Sequence, residues 1–157
     1  MKKISFINTN EVINVQNRLF DSVSYDLGDG LLKPFSELRE FARLDGYDCA
    51  TYHVIPPESA DAIVCIDMPW PDMIERLKEV SAPKYLYIFE CPLIRPKDWD
   101  ERTHSMFDRV FTYDRQKLNS PKYAHYLMPY SMSRTIQTTP KSEWLCLVAS
   151  NKVILRL

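Results

Sequence analysis

Apolar positions along the 157-residue chain fall into short continuous runs separated by amphipathic or proline-marked stretches. The first run, Lys3–Asn8 (KISFIN), ends in the polar triplet Asn8-Thr9-Asn10. From there to Gly30 the chain is polar and carries two of its three glycines in DLGDG, which predicts a long loop. In Pro34–Leu44 (PFSELREFARL) the apolar residues Phe35, Leu38, Phe41 and Leu44 recur at three-residue steps. With proline in the first turn and Gly46 as a stop, this predicts an amphipathic helix. Tyr47–Val54 predicts a strand closed by Pro56-Pro57. Ala62–Asp67 (AIVCID) is apolar throughout, as in a central parallel strand. MPWPD follows, then a helix from Asp72 to Val80 and a strand over Lys84–Phe89. A short helix is expected over Asp98–Phe107 and a strand over Asp108–Tyr113 (DRVFTY). Tyr126–Tyr130 and Trp144–Ser150 complete the strand candidates.

Strands alternating with helices predict an α/β fold: a single Rossmann-like three-layer domain with a mainly parallel sheet. In such sheets ligands gather beyond the carboxyl ends of the strands. The residues just past those ends are Asn8 and Thr9, Asp67, Glu90, and Tyr113 with Asp114, and they are the candidates for one shared crevice.

Composition narrows the chemistry. Hydrophobic residues make up 45% and charged residues 26%, values usual for a globular domain with a core. A formal net charge of -1 gives no electrostatic ground for a nucleic-acid partner. No apolar run reaches the roughly 20 residues of a membrane span, and no signal-peptide core is visible, so a cytoplasmic protein is expected. The four cysteines form no C-x-x-C pair and, with three histidines, no zinc spacing. Cys49, Cys65 and Cys146 lie in or beside apolar runs and read as reduced, packed side chains. Neither G-x-G-x-x-G nor G-x-x-x-x-G-K-[ST] occurs, which argues against dinucleotide and P-loop chemistry. A receiver-type phospho-acceptor at Asp67 would need acids after the first strand, where Asn8-Thr9-Asn10 stands instead.

One carboxylate remains, Glu90 in YLYIFECPLIRP, at the end of an apolar strand. It has two readings. It is the polar residue that lets a buried strand reach water, or a general base whose approach is fixed by the stiff Pro92 loop. Aromatic residues near the strand ends and loops, Trp70, Trp99, Phe107, Tyr113 and Tyr130, suit the apolar faces of sugar rings. Trp70 lines the crevice or plugs the core, and His104 reads as a surface or capping residue.

The ordered blocks Phe89-Glu90-Cys91-Pro92, Ile94-Arg95-Pro96, Phe107-Asp108 with Thr112-Tyr113, and LVASNK near the C-terminus resemble the family-ten glycosyltransferases, the alpha-1,3-fucosyltransferases. MPWPD and the opening MKKISFIN are similar to bacterial members, so the likeness runs along nearly the whole chain. The resemblance implies the N-terminal half of a GT-B-type enzyme that moves L-fucose from GDP-fucose to a saccharide acceptor with inversion. GDP-fucose would be the donor substrate, and no cofactor is implied. Glu90 would be the general base on the acceptor hydroxyl. Arg95 and Tyr113 match family positions and would shape the cleft, and Ser150 with Asn151 would lie near the donor nucleotide. Trp70 and Asn8, from their places near the strand ends, are further candidate substrate contacts.

On this likeness, residues 1–140 form the acceptor-side domain. Residues 141–157 are the first strand of a donor domain or a tail packed on the first domain. The expectation is therefore an acceptor half that is inactive alone, with a tail, Val153–Leu157, able to pair as an edge strand and drive self-association. The alternatives are a non-catalytic carbohydrate-binding or interaction module derived from such a domain, and a flavodoxin-like domain for another small ligand.

Overall fold

A computed structural model of the chain describes residues 1–21 and 32–127. Expectations for Tyr130, Trp144–Ser150, the boundary near residue 140 and the C-terminal tail lie outside the described residues.

Among the described residues six strands form one sheet: β1 (Lys2–Asn8), β2 (Tyr47–Thr51), β3 (Ala62–Ile66), β4 (Lys84–Tyr87), β5 (Arg109–Thr112) and β6 (Tyr123–His125). Their order is β2-β1-β3-β4-β5-β6, and every pairing is parallel. The α/β fold class and Rossmann-like architecture follow directly.

Alternation on β1 explains its central place. Ile4 and Phe6 point to one face, while Ser5 and Ile7 point to the other, and both faces are covered. Ser5 is wholly buried, and its hydroxyl donates to the carbonyl of Ile55 at 2.7 Å, which satisfies that buried polar group.

Among the described residues three helices join the strands: α1 (Glu11–Asn14), α2 (Lys33–Leu44) and α3 (Pro71–Lys78). The chain runs from β1 outward to β2 with α2 on one face. From β3 it runs the other way to β4 with α3 on the opposite face. Right-handed crossovers in opposite directions must lie on opposite faces, and this makes the three layers. On the α3 side, Met73, Leu77 and Val80 are spaced by four and three residues and bury against Ile63, Cys65, Leu86 and Ile88. Burial pushes the Cys65 thiol well above its ordinary value, in keeping with a packed, unreactive side chain.

The structure corrects several sequence expectations; the strand expected over Tyr126–Tyr130 is replaced by β6 at Tyr123–His125, with Tyr126 and Leu127 outside any strand. The stretch after β1 is not loop throughout. It holds α1 and a 3-10 segment, Val15–Phe20, in which Gln16 and Asn17 take positive φ of 52° and 65°. Thr51 fastens this segment: its N–H donates to Asn17 Oδ1 at 2.7 Å and its hydroxyl to the carbonyl of Asn14 at 2.6 Å.

The third correction concerns α2, which forms as the expected helix but with only Phe35 of its apolar stripe packed on the core. No residue of α2 is fully buried, and Phe41 and Leu44 are 68% and 83% exposed. A three-residue step falls about 60° short of a full turn, so three such steps carry Leu44 to the side opposite Phe35. Phe35 and Ala42 make the inward contact instead.

Fourth, the helix expected over Asp98–Phe107 is two separate 3-10 turns, Pro96–Trp99 and Thr103–Met106. Between them Asp100 accepts from the N–H and guanidinium of Arg102, which holds a bend where an α-helix would continue. His104 is buried rather than at the surface. Its Nε2 lies 2.8 Å from the carbonyl of Asp98 and its Nδ1 3.0 Å from the Tyr123 hydroxyl. Burial lowers its proton affinity, so it serves as a neutral cross-link between this connection and β6.

Fifth, β2 ends at Thr51, where the N–H groups of Val54 and Ile55 both turn back onto the Thr51 carbonyl, at 2.8 and 2.9 Å. Tyr52 and His53 therefore belong to the carboxyl edge of the sheet. Among the described residues no helix is long and apolar enough to cross a membrane.

Candidate functional site

Because β1 and β3 are neighbours whose outgoing connections cross opposite faces, a crevice must open above their carboxyl ends. A cleft of about 680 Å³ lies there, lined by Thr9 after β1, by Met68, Pro69 and Trp70 after β3, and by Arg95, Asp98 and Thr103 from the connection after β4.

The chain leaves β3 through Asp67, which is almost fully buried and takes a left-handed φ of 58°. Aspartate tolerates that region better than most residues with a Cβ. Its Oδ1 accepts from the N–H of Phe89 at 2.7 Å and of Glu90 at 3.1 Å, while its own N–H donates to the carbonyl of Tyr87 at 2.7 Å. Asp67 thus knots the end of β3 to the end of β4. Burial pushes its carboxyl up to about 6, against the two N–H donors and Arg95, which favour the charged form; the charge of Asp98 adds to the rise.

A second knot lies one layer outward. Asp98 is completely buried, and its Oδ2 accepts from Arg95 Nε at 2.7 Å while its Oδ1 accepts from the Met68 N–H at 3.2 Å. Arg95 Nη2 also donates to the Met68 carbonyl at 2.9 Å. One guanidinium fork therefore fixes both the β3 exit and the 3-10 turn that carries Asp98. Arg95 lines the cleft wall, but its hydrogen bonds go to the protein.

Glu90 is half-buried and is not one of the residues that line this cleft. Its backbone is held from both ends: the N–H by Asp67, the carbonyl by Trp99 Nε1 at 2.9 Å. Pro92 is exposed, and the turn after Glu90 is closed by the N–H groups of Ile94 and Arg95 on the Cys91 carbonyl, each at 3.0 Å. Among the described residues no hydrogen bond or ion pair engages the Glu90 carboxylate. Trp99 and Tyr113 meet at 5.5 Å, and Tyr113 meets Tyr126 at 6.4 Å, forming an aromatic border beside it. The Tyr113 phenol is pushed up, first by burial and then by the neighbouring acids, Glu90 among them.

The expected residues separate into groups. Trp70 and Arg95 line the switch-point cleft. Glu90 and Tyr113 are not among the residues that line it. The side-chain oxygen of Asn8 accepts the N–H of Asn10 at 2.8 Å in a local turn, and its neighbour Thr9 lines the cleft. Trp70 both lines the cleft and packs on the core. Ser150 and Asn151 lie outside the described residues. Sequence reasoning overlooked Asp98, whose signal was the Arg-x-x-Asp spacing on a proline-led turn. It also overlooked Glu11, Tyr52 and His53, because the second strand was carried through to Val54.

Compared with family models, characterised proteins and solved structures, the chain finds no match.

Proposed function

We propose that the carboxyl edge of this domain is the acceptor side of an inverting sugar-transfer site like that of the GDP-fucose-dependent alpha-1,3-fucosyltransferases, with Glu90 as general base. The observation that carries this reading is the state of Glu90: a backbone clamped at both ends, and a carboxylate bordered by aromatics with no partner among the described residues. A base must be held still yet left free to accept a proton. An acid that merely lets the strand reach water needs no such clamp.

In the proposed step an acceptor hydroxyl attacks the anomeric carbon of fucose, and its proton passes to Glu90. The new glycosidic bond forms as the bond to the diphosphate breaks, and GDP leaves with that electron pair. Tyr113 and Trp99 would border the acceptor ring. The motif order Phe89-Glu90-Cys91-Pro92, then Ile94-Arg95-Pro96, supports the same assignment.

In a chain joined to a GDP-fucose-binding half, Glu90→Gln is expected to lower kcat by about 10²- to 10⁴-fold, the range for loss of a general base. The melting temperature should stay at its wild-type value, because no described fold contact uses the carboxylate. Turnover equal to wild type would remove Glu90 from the mechanism and favour a carbohydrate-binding module.

A further inference from the structure

The exits of β1, β2 and β3 bring together five side chains that the Glu90 chemistry does not use. Glu11 Oε1 accepts the Tyr52 hydroxyl at 2.7 Å and lies 2.5 Å from His53 Nε2. Glu11 Oε2 accepts from Asn14 Nδ2 at 3.1 Å. Asn14 is itself fully buried and locked to the β1 exit, donating to the Asn8 carbonyl at 2.7 Å and accepting the Asn8 N–H at 2.9 Å. Glu11 is thus held from the protein interior, although its own side chain is half-exposed. The Tyr52 ring lies 4.5 Å from His53 and 5.7 Å from Trp70, which lines the switch-point cleft.

The geometry points to a saccharide-binding subsite here: Trp70 as the platform for the apolar face of a sugar ring, and the Glu11–His53–Tyr52 cluster as the group that binds its hydroxyls. It rests on the reading of this sheet edge as a saccharide site and adds a second contact region to it, distinct in its residues from the Glu90 border. The chemistry matches a polyol. His53 Nδ1 engages no described residue, the phenol oxygen keeps a lone pair, and Glu11 retains acceptor capacity, so donors and acceptors are mixed within one patch. Hydrogen bonds from Tyr52, His53 and Asn14 hold the Glu11 carboxyl below its ordinary value despite a burial effect that would raise it, which keeps it a charged acceptor. Charge-assisted hydrogen bonds to hydroxyls are the stronger kind. An exposed ion pair kept only for stability would gain little from three converging donors. Its place beside the switch point is where a ligand in this topology belongs.

The test uses the chain as it stands, titrated with N-acetyllactosamine by calorimetry and by the imidazole resonances of His53. The expected result is a saturable shift of the His53 signals and a Kd raised about tenfold in both His53→Ala and Glu11→Gln, as for loss of one charge-assisted hydrogen bond. Binding that both variants retain at wild-type affinity, with His53 signals unmoved, would overturn the subsite and leave the saccharide reading of the edge intact. No binding by the wild-type chain would overturn both.

Discussion

Arg95→Ala is expected to lower the unfolding free energy by about 3–5 kcal/mol, the usual cost of leaving a buried charge without its partner. Asp98 is wholly inside the protein, and Arg95 is its ion-pair partner there. The same side chain also closes the Met68 carbonyl, so its loss opens two elements at once. Urea denaturation measures the change. Arg95→Lys should recover only part of it, because an ammonium keeps the charge but lacks the planar fork that reaches both acceptors. Adding Asp98→Asn to the alanine variant should restore stability by removing the stranded charge. A loss under about 1 kcal/mol would mean that Asp98 finds water or another cation, since that is the scale of a solvent-exposed pair.

Asp67 gives the second large effect, and it separates charge from hydrogen bonding. Asp67→Ala strips the acceptor from the N–H groups of Phe89 and Glu90, at about 1–3 kcal/mol for each buried donor left unpaired. Asp67→Asn keeps an acceptor oxygen and a residue at ease with positive φ, so it should fold well.

The pH dependence has a definite sign. The folded pKa of Asp67, about 6, lies above its ordinary value of 3.8, so between those values the folded state binds the proton more tightly. Stability linked to this proton is fully present below pH 3.8 and is lost as pH rises through about 6. The Asn variant has no such loss. Its stability relative to wild type should therefore climb from pH 4 to pH 6 and then level off. A constant difference across that window would show that Asp67 is ionised with its usual affinity. Asp98, Arg95 and Glu90 face the same region, so the comparison is best repeated in a Glu90→Gln background.

The strands of the sheet's centre were legible because burial on both faces demands uninterrupted apolar runs, and KISFIN and AIVCID have them. Their carboxyl ends were legible too, because each run stops at a polar residue: Asn8, Asp67 and Glu90 all fall at or just past a strand end. What stayed hidden depends on contacts between distant segments. Nothing local distinguishes Asp67 as an acceptor for residues 22 and 23 positions later. Asp98 looks like a solvent-facing acid in PKDW until Arg95 and Met68 close around it. Tyr52 and His53 read as strand because β-propensity does not mark where the ladder stops. On α2 the helix itself was legible, but a constant three-residue step rotates around the axis, so Phe35 turns inward and Leu44 does not.

The order of the strands also bears on how the chain is made. Both flanks of β1 are filled by segments translated later, β2 at Tyr47–Thr51 and β3 at Ala62–Ile66. At about 5–20 residues per second, the roughly 60 residues between the ends of β1 and β3 take about 3–12 s to emerge. Until β2 emerges Ile4, Phe6 and Ile7 have no strand to pair with, and until β3 emerges one edge of β1 stays open. A nascent chain paused before Ile66 should recruit a chaperone that binds extended apolar peptide, and release it once β3 has left the ribosome.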